Sequence, residues 1–367
     1  MPRAMNRRDF FRTTGASPFV MGASGTQKNR DGTPHFTQRS RFSIPRIVLS
    51  SDVSSRVGLI KGNDRKQNML ECLDQIKGDI RQGIGNKQVV IKTNFTMSNA
   101  PADTHVEIVR AICDTISPFY TKKIIVTESQ GGQRPVQSDW AQFDYYALED
   151  EYNIELRDGW DDPHSPLTIL DWNWQPRQVL VNEFWRSADV YLISAAVLKR
   201  HVTAVVSLSL KNVLMGSIWN QNGINHRVHM HVGMRWDNPA LSMNRWDDPV
   251  FAQQFQLDQF LIGQHTAPDL AVIDGWEGME IEETHGPLVD SRLALASTDF
   301  LAADRVGCAL MNVDFEHVGA LNHCYNASMG NADLRKIQIL GHTIDACRKR
   351  YREDPRTTIQ RLHWKTE

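Results

Sequence analysis

The segment Val89 to Glu128 constrains this chain most. Val89-Val90-Ile91-Lys92-Thr93-Asn94 is a β-branched run that ends in polar residues. Thr104-His105-Val106-Glu107 has capping-box spacing, and Ile108, Val109, Ile112 and Ile116 then recur at helical intervals up to Pro118. Lys123-Ile124-Ile125-Val126-Thr127-Glu128 is a second β-branched run, closed by Gly131-Gly132. Strand, helix and strand within about forty residues make a crossover unit, and such units pair their strands in parallel.

The pattern continues on both sides. Asn63 to Gly83 reads as one helix, with Met69, Leu70, Leu73, Ile76 and Ile80 on one face. Further strands are expected at Gln178–Val181, Val190–Ser194, Leu270–Asp274 and Leu293–Ser297, and helices over 202–215, after Asp248-Pro249, after Thr298-Asp299 and from Thr343. This alternation predicts an α/β fold, a mostly parallel sheet flanked by helices. Two Trp-rich stretches break it as long loops, Asp158–Arg177 and Ser217–Asp248, and the second, with its Trp and Met content, reads as an ordered loop lining a site.

Charge divides the chain. Residues 1–30 hold six Lys/Arg against one acid, and the remainder carries an excess of seven acids. The body therefore lacks the basic stripe that nucleic acid requires. No apolar run approaches the roughly 20 residues of a membrane helix, so an integral membrane protein is not expected. Asn6-Arg7-Arg8-Asp9-Phe10-Phe11-Arg12 resembles the twin-arginine export motif, followed by a weakly apolar Thr13–Gly25. The expected organisation is a signal and linker over residues 1–35 and a single α/β domain over 36–367, exported and periplasmic. The five cysteines show no C-x-x-C spacing, which gives no support to an iron–sulfur cluster.

Polar residues concentrate just after the expected strands. Lys92 and Asn94 follow one strand; Lys199, His201, Lys211 and Asn212 follow another. In open α/β sheets ligands bind outside the carboxyl ends of the strands. Lysines gathered there suit a carboxylate or a phosphate. Lys92, Asn94 and Asn212 are the candidate substrate contacts; Lys199, His201, Lys211 and Asp274 are the candidate catalytic groups. Asp274 ends a strand in Asp274-Gly275-Trp276-Glu277-Gly278, a plausible general-base or metal position. His226, His229 and His231 fall within six residues, and adjacent imidazoles on one face hold transition metals. A third ligand is open among His226, His201, Asp274 and Glu277.

In these residues the chain resembles the domain-of-unknown-function 362 family. The pieces are Val90-Ile91-Lys92-Thr93-Asn94, Ser187-Ala188-Asp189-Val190, Leu198-Lys199-Arg200-His201 and Ser207-Leu208-Ser209-Leu210-Lys211-Asn212 with Gly216. Ile273-Asp274-Gly275, Glu277-Gly278, His285-Gly286-Pro287 and Ala302-Ala303-Asp304-Arg305 follow in the family's order. The resemblance implies a shared site at Lys199, His201, Lys211 and Asn212. The ferredoxin-like segments of some members have no counterpart here. A looser analogy runs to the lactate-racemase-like family, which uses Lys and His around a nickel-bearing cofactor. The functional expectation is an exported, metal-dependent enzyme acting on a small anionic or polar substrate. A periplasmic binding or metal-carrier protein, or an accessory subunit with a redox partner, are the alternatives.

Overall fold

Strand β2 (Gln88–Lys92) sits inside a nine-stranded sheet because both of its neighbours are parallel partners. The computed structural model describes residues 54–365 except 97–99, 130–134, 172, 222–223, 228–229 and 231–247. All of these belong to one compact unit, Ile44–Glu367. The other strands are β1 (Ser55–Lys61), β3 (Ile124–Glu128), β4 (Ile154–Asp158), β5 (His164–Leu170), β6 (Pro176–Asn182), β7 (Val190–His201) and β8 (Val205–Ser207). They continue with the two-residue β9 (Asn220–Gln221) and β10 (Ile224–Asn225), then β11 (Leu270–Met279), β12 (Leu288–Ser297) and β13 (Ile337–Gly341).

The sheet order is β13-β1-β12-β11-β7-β2-β3-β4, with β8 pairing β7 at its far end. From β11 to β4 every pairing is parallel; β12 runs antiparallel to both β11 and β1. The expected α/β fold with a mostly parallel sheet is therefore present. All twelve residues of β7 are buried. Tyr191, Ile193 and Ala195 join the apolar cluster that holds the helix Val106–Ile116, whereas Ala196 and Leu198 join the opposite one. A central strand covered on both faces has no polar side to show, which is why it reads as one apolar run.

Several local expectations are corrected. The helix expected over Asn63–Gly83 is two, Arg65–Asp74 and Lys77–Ile84, the first capped by Asp64, which accepts from the Gln67 N–H. The break at Gln75-Ile76 lets both Ile76 and Ile80 enter the core. The cap of helix Val106–Ile116 is His105, not Thr104. Thr104 Oγ1 instead accepts the Asn94 N–H at 2.7 Å and donates to the Ala195 carbonyl at 2.6 Å, tying two strand ends together. The expected helix over 202–215 is a turn, then β8, then a shorter helix Ser209–Ser217. Asp158–Arg177 is not a loop for most of its length: β5 and β6 form a hairpin whose Ile169, Val179 and Val181 enter the core. Its Trp, Pro and Asp content hides that alternation. The helix from Thr343 has only four residues, Ile344–Cys347, and another, Thr357–His363, follows it. Ser217–Asp248 lies largely outside the described residues.

Candidate functional site

Four parallel strands deliver polar side chains to the same edge of the sheet. Lys92 ends β2, Glu128 ends β3, Lys199 and His201 end β7, and Asp274 lies within β11. The helix Ser209–Ser217 crosses nearby with Lys211 and Asn212. Its start is held by Asp304, which accepts from the Ser209 N–H at 2.9 Å, the Ser209 hydroxyl at 2.6 Å and the Leu210 N–H at 3.1 Å. A carboxylate on the free N–H groups of a helix start is favourable electrostatically and fixes the helix in place. Burial nonetheless raises Asp304 to about 6.

The lower tier is closed. Lys92 Nζ lies 2.5 Å from Glu128 Oε1, donates to the Thr93 carbonyl at 2.6 Å and meets Asn212 Oδ1 at 3.3 Å. Those partners use all three ammonium protons. Glu128 also accepts from the Phe95 N–H at 2.8 Å and the Ser129 N–H at 2.9 Å. Asn212 Nδ2 donates to Ser194 Oγ at 3.0 Å and to the Lys92 carbonyl at 3.3 Å. A Cβ on Gly216 would stand 2.3 Å from Lys92 Cε, so only glycine lets the helix approach this closely. Burial lowers the Lys92 pKa against the pull of Glu128. Lys92 and Asn212, expected as substrate contacts, thus hold the helix to the sheet with every polar atom engaged.

Arg227 belongs to the same tier. It donates to the carbonyls of Ser129, at 2.9 Å, and Gly216, at 2.9 Å, and its guanidinium lies 4.9 Å from the Trp160 ring centre.

The upper tier gathers around Lys199 and His201. Lys199 Nζ donates to Asn94 Oδ1 at 2.7 Å and the Ala102 carbonyl at 2.7 Å, with Thr96 Oγ1 at 3.4 Å. Asn94 therefore positions Lys199. Asp103 accepts from the Thr96 N–H, and its Oδ2 is buried with no hydrogen-bond partner. Burial raises Asp103 and lowers Lys199, while the charge of each favours the charged form of the other. His201 Nδ1 accepts the N–H groups of Thr203 at 3.0 Å and Ala204 at 3.1 Å. An imidazole nitrogen that accepts two N–H groups carries no proton, so the proton is on Nε2. Nε2 lies 3.1 Å from Glu283 Oε1. Glu283 Oε2 is buried without a hydrogen-bond partner, and burial raises this carboxyl. Val205, next to the turn that His201 caps, has φ 69°. For a β-branched residue this is strained backbone, which costs of order 1–3 kcal/mol.

Lys211 is the exception among the lysines. It forms no hydrogen bond or ion pair with a described residue. Part of its side chain meets solvent, yet protein packed around the ammonium brings it down to about 7, with Glu283 opposing and Lys199 reinforcing the fall. It also lines a small apolar-walled cavity of about 10 Å³ with Ala204, Leu208, Leu210 and Asp304. That holds about one water.

Of the other expected site residues, Asp274 takes a different partner. Its Oδ1 accepts the Trp276 N–H at 2.9 Å and its Oδ2 lies 3.5 Å from Arg65 Nε. Four residues of β11, Gly275 to Gly278, stand opposite the single Leu198 between the pairings Asp274↔Val197 and Met279↔Lys199, and Glu277 in this bulge lies 3.5 Å from Arg65. Asp274 thus faces Arg65 rather than either lysine. A groove of about 580 Å³ lies by Arg65, Lys66, Glu107 and Trp276, and the lysine cluster does not line it. His226 Nδ1 accepts the Leu180 N–H at 3.1 Å. With that nitrogen engaged and Nε2 protonated, His226 in this geometry offers no lone pair to a metal. His229 and His231 lie outside the described residues. Among the described residues no three His, Cys, Asp or Glu gather as a metal cluster. All five cysteines are buried free thiols.

Sequence reasoning missed Glu283 and Asp103. Glu283 sits in Glu282-Glu283-Thr284, some eighty residues beyond His201, with no spacing to mark it. Glu128, at a strand end, did carry a signal.

A protein-family model described as "Domain of unknown function (DUF362)" matches residues 89–309. Among solved structures the chain is similar to the lactate racemase apoprotein from Thermoanaerobacterium thermosaccharolyticum, with 12% identity and a TM-score of 0.42 over 70% of this chain and 56% of that one. It is also similar to a structural-genomics protein from Thermotoga maritima, with 13% identity and a TM-score of 0.41 over 68% of this chain and 60% of that one. The chain spans less than two thirds of either of these proteins. Both likenesses are too distant to bear on the chemistry of the site. No curated protein matches the chain.

Proposed function

The chain belongs to the domain-of-unknown-function 362 family, and from the side chains its matched region brings together we propose that it is an enzyme that binds a small anion and moves a proton on it. One observation carries this reading. Lys211 has no hydrogen-bond or ion-pair partner among the described residues, and the charge of Glu283, whose Oε2 has no hydrogen-bond partner, acts on it. A cation with donors to spare and a nearby carboxyl oxygen that accepts from nothing are what an acid–base site requires.

The division of labour follows from the bonds. Lys199 is spent on Asn94, Ala102 and Thr96, so it supplies fixed positive charge. Lys211 contacts the anion, a carboxylate or a phosphate. Glu283 exchanges the proton. His201 is a positioning residue, since its Nδ1 is locked to the backbone and its Nε2 lies 3.1 Å from Glu283 Oε1. Export by the twin-arginine route, with Asn6–Arg12 as the address, remains part of the proposal. So does a metal requirement, which rests on His229 and His231 and is tested by metal content beside a His229→Ala/His231→Ala variant.

The principal test uses the full chain. Calorimetry against phosphate and two- to four-carbon hydroxy and oxo acids measures binding. Nuclear magnetic resonance in D2O measures deuterium entering the bound acid. Lys211→Met is expected to weaken binding about 10- to 100-fold, the worth of one charged hydrogen bond. Glu283→Gln should keep binding and lose exchange. Binding without exchange in the wild type would make the protein a carrier. No binding by any anion, or binding indifferent to Lys211→Met, would overturn the site.

A further inference from the structure

A motif that the lysine cluster leaves unused opens onto a space of its own. Asp274-Gly275-Trp276-Glu277 falls in the carboxyl half of β11, and Asn63 to Gln67 follow β1. Both strands run antiparallel to β12, so they share a direction and deliver these residues to one end of the sheet. Open α/β sheets bind ligands at that end. The groove of about 580 Å³ lies there, walled by Asp64, Arg65, Lys66, Leu70, Glu107 and Trp276. Small-molecule sites span about 300–1,000 Å³. The β11 bulge holds Trp276 in place, its N–H donating to Asp274 Oδ1 at 2.9 Å. We infer that this groove is a second binding site, distinct from the lysine cluster, and that it takes an aromatic carboxylic acid.

The charged groups of the wall have partners, with one exception. Asp64 Oδ1 caps its helix by accepting the Gln67 N–H at 2.9 Å. Glu107 Oε1 accepts from Arg110 Nη1 at 2.7 Å, and Lys66 Nζ lies 2.9 Å from Asp114 Oδ2. Arg65 differs. Its Nε and Nη2 stand 3.5 Å from Asp274 Oδ2 and Glu277 Oε2, beyond the roughly 2.7–3.2 Å of a hydrogen bond. It donates no hydrogen bond to a described residue. Its charge is balanced, yet its donors are unused. A guanidinium fork in that state matches a carboxylate, which it can hold through two bonds. Arg65 Cζ lies 5.8 Å from the Trp276 ring centre, and Leu70 adds an apolar wall. Arg292 Cζ stands at the same distance from that ring, so a cationic ligand would meet like charge there. A bare anion such as acetate would fill little of the groove. A planar apolar body would cover the indole and Leu70 while its carboxylate reaches Arg65, and aromatic pairs gain beyond the area they bury.

Calorimetry of the full chain against naphthoate, benzoate, cyclohexanecarboxylate and acetate tests this. Naphthoate and benzoate should bind, cyclohexanecarboxylate more weakly and acetate more weakly still. Arg65→Lys keeps the charge beside Asp274 and Glu277 but loses the fork, and should weaken the aromatic acids about 10-fold. Trp276→Leu should weaken them about 3- to 10-fold and cost cyclohexanecarboxylate less. Glu277→Gln removes the more exposed of the two carboxylates that compete for Arg65, and should tighten binding about 2- to 5-fold. Damage to the fold would not produce that gain, and circular dichroism checks that each variant is folded. No binding of any of these acids at millimolar concentration, or binding indifferent to both Arg65→Lys and Trp276→Leu, would overturn the site. Binding lost in Lys211→Met but kept in Arg65→Lys would put the acid at the lysine cluster and overturn it too. Equal binding of naphthoate and cyclohexanecarboxylate would overturn the aromatic class.

Discussion

Replacing Lys211 by methionine exchanges a partly buried ammonium for an apolar chain of similar length, and stability should respond to pH in a particular way. A fall from about 10.5 to about 7 is worth about 5 kcal/mol at roughly 1.4 kcal/mol per tenfold. Part of the side chain meets solvent, which screens that figure, so about 2–4 kcal/mol is the reasonable expectation. The sign follows from proton counting. Between about pH 7 and 10.5 the unfolded chain holds a proton on Lys211 that the folded chain has released, so native stability rises with pH across that window. Below about 7 both states are charged and the full penalty of the buried ammonium remains. Lys211→Met removes the penalty and the slope together. Urea unfolding of both proteins at pH 6, 8 and 10 should show the variant more stable at pH 6, with the gap closing toward pH 10. A gap that does not change with pH, or a variant less stable at pH 6, would refute the placement of Lys211 among apolar neighbours without a partner.

Three further changes read the lower tier and its helix. Gly216→Ala places a methyl 2.3 Å from Lys92 Cε and should cost about 1–3 kcal/mol in urea melts; an unchanged midpoint would mean the helix does not press on Lys92. Glu128→Gln leaves the Lys92 ammonium buried without its counter-charge and should cost about 3–5 kcal/mol, most of it recovered in the Glu128→Gln/Lys92→Met double variant. If the double variant is no better than the single, the pair is not the source of the loss. Asp304, raised to about 6, holds its proton in the folded chain at a pH where the unfolded chain has lost it, so its contribution falls as pH rises from about 4 to 6. Asp304→Asn should remove that slope from thermal melts over the same range, and a slope that persists belongs to another carboxyl.

Much of the fold was legible because its signals are local. The run Val190–Leu198 has to be a strand covered on both faces, and β7 is one. The period in Ile108, Val109, Ile112 and Ile116 marks a buried helical face. Asp299, just ahead of an apolar repeat, caps a helix. The hairpin β5–β6 was not legible, because its inward residues are few and Trp, Pro and Asp stand between them. Nor was the mixed edge of the sheet, where β12 turns back along β11 and β1 lies beside it from far away in the chain.

What the sequence determined by itself was the composition of the site's edge: residue types after each strand, delivered to one end because parallel strands share a direction. It marked Lys92, Lys199 and Lys211 alike. Only the tertiary structure separates them, since a lysine's role depends on which acceptors lie within about 3 Å, and those come from distant segments. Glu128 and Asn212 close around Lys92, and Asn94 and the Ala102 carbonyl around Lys199. Glu283, some seventy residues downstream, comes near enough for its charge to act on Lys211, with its Oε2 still lacking a hydrogen-bond partner. Hydrogen bonds saturate within short range, and sequence spacing cannot count them; the fold leaves Lys211 as the lysine of the three with donors to spare.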